Sequence, residues 1–285
     1  MSLVDDLLQK IPLERFRNPP PQVAVLRFDG LIGMRGQRGL SLRRFAPAIE
    51  RAFRLRNLKA VALAVNSPGG SPAQSSLLFR RIRQLAEEKD VPVVAFAEDV
   101  AASGGYWLAL AADEVFAEET SLLGSIGVIT ASFGFVEAMR KLGVQRRLYT
   151  AGENKSLLDP FVTEDPKGVE RLTALQRDMH DSFKDLVRAR RGAKLKGEES
   201  ALFSGDVFTG RRALELGLID GIGDLRGVMR QRYGDTVKLR AIEPERRRFS
   251  LLSWFGIPRR PDIADIAADL LARVEERLIW ARFGL

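Results

Sequence analysis

Short apolar runs alternate along the chain with stretches in which apolar residues recur every three to four positions. The runs at Val23–Phe28, Ala60–Asn66 and Val91–Ala97 are continuous, as in strands that are buried on both faces. Helical spacing predicts helices at Leu42–Arg54, Ser75–Glu88, Gly104–Ala112, Phe135–Leu142, Pro166–Arg190 and Gly210–Leu216, and shorter strands are predicted at Val115–Ala117 and Val144–Tyr149. Strands that alternate with helices at these lengths indicate parallel β-α-β units and therefore an α/β fold.

The N-terminal residues do not have the pattern of a secretory signal. Met1–Gln22 carries three carboxylates, and its longest apolar run is Leu7–Leu8. Nowhere does the sequence approach the ~20 apolar residues of a membrane-spanning helix. We therefore expect a chain without an N-terminal membrane anchor and a cytoplasmic location, with residues 1–22 as a lead segment whose Pro19–Pro21 stretch is extended.

The C-terminal part, residues 241–285, differs in composition from the rest. Ser250–Ile257 is apolar and lies between the basic clusters Arg246–Arg248 and Arg259–Arg260, and Asp262–Phe283 has the pattern of an amphipathic helix. The favoured interpretation is a helix that packs on its own domain or on a neighbouring subunit. The alternative is peripheral contact with a membrane, because basic residues beside Trp and Phe suit an anionic headgroup layer.

Composition excludes several chemistries. The 285 residues include no Cys, which rules out thiol nucleophiles, disulfides and thiolate metal sites, and a single His, His180, which rules out a multi-His metal site within one chain. The formal charge of +8 comes from scattered Arg residues. Because aromatic residues do not accompany the cluster at Arg188–Arg191, we expect no nucleic-acid partner.

Two predicted strand ends are rich in small and polar residues. Asn66–Gly70 ends in adjacent glycines, which let backbone N–H groups approach a ligand closely. In Asp99–Trp107, Ser103 stands between a strand and a helix, where the helix dipole and the next N–H group would assist a nucleophile. On composition alone, a serine in such a turn is more often a helix N-cap than a nucleophile.

A nucleophilic serine needs a base. His180 lies among charged residues on a long polar helix, where a solvated histidine is the default expectation. The alternative is a lysine that burial keeps in its neutral form. Lys155 lies outside the charged runs, in Thr150–Phe161, but most loop lysines face solvent, so the pattern leaves the base undecided.

From about Val23 to Arg240 the chain resembles the SppA-type signal peptide peptidases, the Ser–Lys branch of the Clp protease/crotonase superfamily. The segments that carry the resemblance are Asn66–Gly70, Ala102–Trp107, Gly124–Val128, Gly152–Phe161, Phe208–Gly210 and Ala213–Asp220. The resemblance implies an α/β fold of repeated β-β-α layers with a mostly parallel sheet. It also implies a single catalytic domain over residues 23–240, followed by a helical extension.

The resemblance further implies the roles of individual residues. Ser103 would be the nucleophile and Lys155 the general base, with Ser125 orienting the lysine amine. The N–H groups of Gly70 and Gly104 would form the oxyanion hole. Gly69 would allow the turn, and no metal or cofactor is implied.

The implied partners are a hydrophobic peptide, such as a signal-peptide or membrane-protein fragment, and further copies of the chain. In the family, Ser and Lys come from neighbouring subunits of a ring, and we expect an octameric ring with shared active sites. Two alternatives remain open at this point: a crotonase-type acyl-CoA enzyme with a similar oxyanion hole, and a catalytically silent scaffold that binds membrane proteins.

Overall fold

The computed structural model describes residues 20–33, 39–244, 274 and 277–284. The strands are β1 (Gln22–Asp29), β2 (Leu58–Ser67), β3 (Val93–Ala102), β4 (Glu114–Ala117), β5 (Leu122–Gly124), β6 (Val207–Thr209), β7 (Gly221–Ile222) and β8 (Lys238–Ala241). The helices are α1 (Leu42–Ala52), α2 (Pro72–Lys89), α3 (Gly104–Ala109), α4 (Val136–Leu142), α5 (Pro166–Arg191), α6 (Glu199–Leu202), α7 (Gly210–Glu215) and α8 (Leu225–Tyr233), with a 3-10 turn at Gly192–Lys194.

The described strands form one sheet in the order β6-β5-β3-β2-β1-β8. The long strand β3 pairs along one edge with β2 and along the other first with β4 and then with β5, while β7 extends the sheet beyond β4. Every pairing is parallel except that of β5 with β6, which is antiparallel. The expected α/β fold class with a mostly parallel sheet is confirmed.

Alternating residues of β1 enter two different cores, because successive side chains of a strand point to opposite faces. Leu26 and Phe28 pack with residues of α1 and α2, whereas Val23 and Val25 pack with α8. The continuous apolar run of β2 follows from this arrangement, since Ala60–Val65 is buried on both faces. The core therefore has helices on both sides of the sheet.

The structure corrects two predictions about strands. The strand predicted to end at Ala97 continues to Ala102, because β5 pairs with residues 100–102 after β4 has paired with residues 94–97. The strand predicted at Val144–Tyr149 was wrong. Those residues are exposed and pair with no strand in the described part of the chain, so their apolar pattern has no sheet edge to join.

The terminal predictions fall largely outside the described residues. This is so for residues 1–19 and for Ser250–Ile257 with its basic flanks, whereas residues 277–281 of the predicted helix Asp262–Phe283 are helical. None of the described helices has the length and apolar character needed to cross a membrane.

Candidate active site

Three neighbouring strands, β2, β3 and β5, end at the same edge of the sheet. Ser67 pairs with Ala101, and Ala102 pairs with Gly124, so the segments that follow these strands begin side by side. Ligand sites of parallel sheets form at the carboxyl ends of strands. The register therefore brings together the Ser67–Gly70 turn, Ser103 and Ser125.

Ser103 occupies a strained turn between β3 and α3. Its φ of 51° and ψ of −120° lie outside the usual regions for a residue with a side chain, which costs about 1–3 kcal/mol. Two hydrogen bonds hold this turn: the Ser103 N–H donates to the Gly124 carbonyl at 2.8 Å, and the Trp107 N–H donates to the Ser103 carbonyl at 2.9 Å. Such strain persists only where the surrounding structure enforces it, as at functional sites.

The hydroxyl of Ser103 does not cap the helix that follows. Although Ser103 occupies the N-cap position of α3, its side chain accepts no hydrogen bond from the helix N–H groups. The N-cap interpretation that composition favoured therefore does not describe this serine. Its hydroxyl is left available for other chemistry.

Three glycines bring backbone N–H groups close to Ser103. A methyl group added to Gly69 would lie 2.9 Å from both the Gly104 nitrogen and the Ser103 Cβ, and one added to Gly104 would lie 3.3 Å from the Gly70 nitrogen. No hydrogen bond from the Gly70 or Gly104 N–H to an acceptor occurs within the described residues. Neither N–H group is thus engaged by the described residues, and both remain able to donate to an oxyanion, as an oxyanion hole requires.

Ser67 and Ile32 fix the glycine turn. The Ser67 hydroxyl donates to the Gly30 carbonyl at 2.7 Å and accepts from the Gly69 N–H at 3.2 Å. The Ile32 N–H donates to the Gly69 carbonyl at 2.9 Å, and the Ile32 carbonyl accepts from the Ser71 N–H at 2.8 Å. The Ser67 hydroxyl therefore stabilises the turn that carries the two glycines.

Ser125 follows β5 directly and also has a positive φ, of 48°. Its N–H donates to the Asp206 carbonyl at 2.6 Å, so the antiparallel neighbour β6 fixes its backbone. Because Gly124 pairs with Ala102, Ser125 and Ser103 are the next residues of two paired strands. The structure thus places Ser125 beside the nucleophile candidate.

His180 differs from its expected environment. It is half-buried, and its Nε2 lies 3.0 Å from the Ile126 carbonyl oxygen. Since a carbonyl oxygen can only accept, Nε2 carries the proton that is donated. α5 reaches this region because Phe183 packs against Trp107, with ring centroids 4.9 Å apart. His180 therefore holds the backbone that follows Ser125, rather than facing solvent.

Sequence reasoning did not identify Ser75. This fully buried serine on α2 donates from its hydroxyl to the Ser71 carbonyl at 3.0 Å. A methyl group added to Gly104 would lie 2.5 Å from the Ser75 Oγ, so Ser75 packs directly behind the oxyanion-hole candidates. Its helical position three residues beyond the N-terminal Pro72 gave no chemical signal.

Lys155 lies apart from this cluster within one chain. Its side chain is exposed, and within the described residues it forms no hydrogen bond or ion pair with Ser103 or Ser125. It belongs to residues 128–165, which we call the projecting segment because most of its side chains are exposed. One chain therefore assembles Ser103, Ser125, Gly69, Gly70 and Gly104, but does not bury the lysine amine.

In the described ranges, no group of three or more His, Asp or Glu side chains is placed to hold a metal ion. A cavity of about 830 Å³ is lined by residues that include Phe96, Glu98, Asp224 and Phe283, but by none of the site residues above. The candidate chemistry therefore lies at the strand ends and not in this cavity.

At the strand ends of a mostly parallel sheet, the structure combines a strained serine with two nearby backbone N–H groups that donate to no described residue. This arrangement is typical of serine hydrolases that form acyl-enzymes. The sequence model of peptidase family S49 matches residues 85–236, which is more than half of the chain. The chain therefore belongs to peptidase family S49, and the expected serine peptidase family is confirmed.

Two curated relatives are much longer than this chain. A Brucella abortus protein named Na(+)/H(+) antiporter NhaA is 48% identical over 288 residues, which covers 98% of this chain but 39% of that protein. The chloroplastic serine protease SPPA of Arabidopsis thaliana is 38% identical over 169 residues, covering 59% of this chain and 24% of that protein. The chain thus spans well under half the length of both relatives.

A solved structure of a membrane-bound stomatin-specific protease in complex with a substrate peptide also aligns with the chain. It is 15% identical, covers 84% of this chain and 99% of that chain, and superposes with a TM-score of 0.48.

Proposed function

We propose that the chain is a serine endopeptidase in which Ser103 is the nucleophile and Lys155 is the general base. The observation that carries the proposal is the strained Ser103 turn, whose hydroxyl does not cap the following helix and whose backbone packs closely against the glycine turn of Gly69 and Gly70. Neutral Lys155 would accept the Ser103 proton as Oγ bonds to the peptide carbonyl carbon. The two N–H groups would bind the resulting oxyanion.

The second half of the reaction uses the same groups. As the C–N bond breaks, the lysine would return its proton to the leaving amine. Water would then give up a proton to the lysine and attack the acyl-enzyme, which releases Ser103 and the second product. Ser125, which follows the strand paired with the Ser103 strand, would hold the lysine amine in the orientation that proton transfer requires.

Lys155 would come from a neighbouring copy of the chain. The projecting segment carries Phe133, Leu142 and Tyr149 with 79%, 77% and 89% of their surface exposed, and α4 has no buried residue. Exposed apolar side chains in such number favour burial in an interface. A second copy that covers this segment would bury the lysine amine, which favours its neutral, proton-accepting form. We therefore propose a homo-oligomeric ring, an octamer, with active sites shared between subunits.

The proposed substrates are peptides with apolar side chains, such as fragments of signal peptides or membrane proteins. The protease names of relatives such as the Arabidopsis protein support a peptide substrate. The C-terminal basic and apolar segment, which lies outside the described residues, would supply any peripheral contact with a membrane.

The test is cleavage of a fluorogenic apolar peptide. Ser103→Ala and Lys155→Ala should each lower kcat/KM by about 10⁴-fold or more, because members of a catalytic unit act together. Ser182→Ala and Lys89→Ala are matched controls on exposed positions outside the projecting segment and should retain normal rates. Normal cleavage by either of the first two variants would overturn the assignment.

A mixing experiment tests the shared site. Ser103→Ala chains keep Lys155, and Lys155→Ala chains keep Ser103, so co-assembled rings would contain complete sites at some interfaces. Activity should therefore return when the two inactive chains are denatured and reassembled together. No recovered activity in properly assembled rings would show that each site is built within one chain.

A further inference from the structure

We propose that the ion pair between Arg146 and Asp159 is a clasp that positions Lys155 for proton transfer. The inference rests on the proposed function, because it assigns a role in presenting the general base. The two residues flank the lysine in sequence, and their pairing closes the chain into a loop with Lys155 inside it. Arg146 and Asp159 are thus positioning residues, which act through the backbone between them.

The pair differs from the other charges of the projecting segment in its burial. The Asp159 side chain is 4% exposed, and its Oδ2 accepts a hydrogen bond of 3.0 Å from Arg146 Nε and lies 2.7 Å from a terminal guanidinium nitrogen. Residues 151–155, by contrast, are all exposed. Hydrogen bonds between charged partners are shorter and stronger than those between neutral groups. The Asp159 carboxylate is therefore a buried and fixed group within an otherwise exposed segment.

Aromatic packing connects this ion pair to residues near both ends of the projecting segment. The Arg146 guanidinium lies over the Phe161 ring at 4.9 Å, and Phe161 stacks on Phe135 at 5.5 Å between centroids. The Phe135 N–H donates to the Pro160 carbonyl at 2.7 Å, and Asp159 accepts from the Phe161 N–H at 3.1 Å. These contacts form a small core that needs no side chain from the main sheet.

The backbone on either side of Lys155 is correspondingly constrained. The Lys155 N–H donates to the Gly152 carbonyl at 3.3 Å, and Gly152 has a φ of 99°. Leu158, immediately before Asp159, has a φ of 58°, which a residue with a side chain rarely adopts. Since such a conformation persists only when the surroundings enforce it, the clasp accounts for the turn that follows Lys155.

A clasp of this kind would hold the backbone of Lys155 in position before a second subunit covers the side chain. A displacement of about 1 Å at a reacting group can cost about 100-fold in rate. Asp159→Asn keeps the size of the side chain but removes its charge. We therefore expect it to lower kcat by about 10- to 100-fold without raising KM, because it loosens the base and not the peptide site. Arg146→Lys keeps the charge but loses the hydrogen bond from Nε to Asp159, and should give a smaller loss.

The deciding experiment combines two measurements on full-length chains. The first is amide hydrogen exchange of the residue 152–158 region, which should speed up at least about ten-fold in Asp159→Asn because its constraint is lost. Glu137→Gln is the matched control, since it breaks an exposed ion pair with Arg140 in the same segment and encloses no lysine. Equal exchange in Asp159→Asn and Glu137→Gln would overturn the clasp, whatever the enzyme activity.

The second measurement places Asp159→Asn in one partner of the mixed rings. The Ser103→Ala chain supplies Lys155, and the Lys155→Ala chain supplies Ser103. Asp159→Asn should therefore reduce the recovered activity at least ten-fold more when it is placed in the Ser103→Ala chain than when it is placed in the Lys155→Ala chain. Equal losses in the two placements would overturn a role in positioning the base. If the parent mixture shows no activity while the wild-type protein does, the shared site fails. The clasp is then decided by kcat of Asp159→Asn alone, where an unchanged kcat contradicts it.

Discussion

The Ser103 N–H donates a 2.8 Å hydrogen bond to the Gly124 carbonyl oxygen, and this bond joins the two turns that carry the serine candidates. Ser103 and Ser125 follow paired strands and share an unusual backbone, with φ values of 51° and 48°. Their relative position is therefore fixed by the pairing of β3 with β5 and not by contacts between side chains. A change of side chain at either position should leave the other in place.

This relationship makes Ser125→Ala an informative variant. We expect kcat to fall by about 10- to 100-fold with little change in KM, because the variant removes the hydroxyl proposed to orient the lysine and leaves the backbone unchanged. Steady-state kinetics with an apolar peptide measure both parameters. Ser182→Ala, whose exposed hydroxyl bonds only its own helix, is the control. An unchanged kcat in Ser125→Ala would remove Ser125 from the mechanism.

Gly69→Ala should damage the oxyanion hole. Gly69 has a φ of 108°, and a methyl group there would press on the Gly104 nitrogen and the Ser103 Cβ at 2.9 Å. We expect kcat to fall by about 10²–10³-fold, which is the effect of losing one oxyanion donor. Gly234→Ala is the matched control, because Gly234 also has a positive φ, of 84°, and nothing lies within 4 Å of the added methyl group. Equal activities of the two variants would show that the Gly69 turn does not shape the site.

The central strands could be predicted from sequence because their burial on both faces leaves a continuous apolar run. The edge strands could not, since β5 and β6 have three residues each, too few to show a period. They form because β3 extends beyond β4 and offers residues 100–102 as a free edge. The strand wrongly predicted at Val144–Tyr149 is the opposite case. Its residues have an apolar pattern, but no strand in the described part of the chain offers an edge with which they pair.

The candidate site was predictable where its chemistry is local. The Ser103-Gly104 turn and the Gly69-Gly70 turn each lie within a few residues, so their composition was informative. The position of Ser125 depends on strand pairing, and that of His180 depends on how α5 crosses the sheet, and neither leaves a local pattern. The described part of the chain gives no contact between Lys155 and Ser103, and under our proposal a second copy of the chain sets their relation.

Substitution of His180 distinguishes a mechanism with a lysine general base from one with a histidine general base. His180 donates to the Ile126 carbonyl, one residue beyond Ser125, so His180→Ala should loosen that backbone and lower kcat by less than about ten-fold. A catalytic histidine would instead cost about 10⁴-fold or more. His180→Gln keeps a donor and should restore most of the activity. A loss in His180→Ala as large as that in Ser103→Ala would make His180 the base in place of Lys155.

Asp220 should make the stability of the fold sensitive to acid. Its carboxylate accepts hydrogen bonds of 2.7 Å from the buried Arg191 guanidinium and from Lys194, and one of 2.8 Å from the Val115 N–H. Burial opposes ionisation, but these bonds outweigh it and lower the pKa of Asp220 below its usual value. A lowered pKa in the folded state gives a stabilisation that is complete above the unfolded pKa of about 4 and is lost as pH falls through the folded value.

Asp220→Asn should therefore lower the free energy of unfolding at pH 7 by about 3 kcal/mol, because it leaves Arg191 buried without its counter-charge. Urea unfolding at a series of pH values measures the difference from wild type, which should shrink steadily below about pH 4 as the wild-type carboxylate becomes protonated. Glu119→Gln, which breaks an exposed pair with Arg211, should change the free energy of unfolding by less than about 1 kcal/mol at any pH. A difference between wild type and Asp220→Asn that stays constant from pH 7 to about pH 2 would show that the charge of Asp220 does not stabilise the fold.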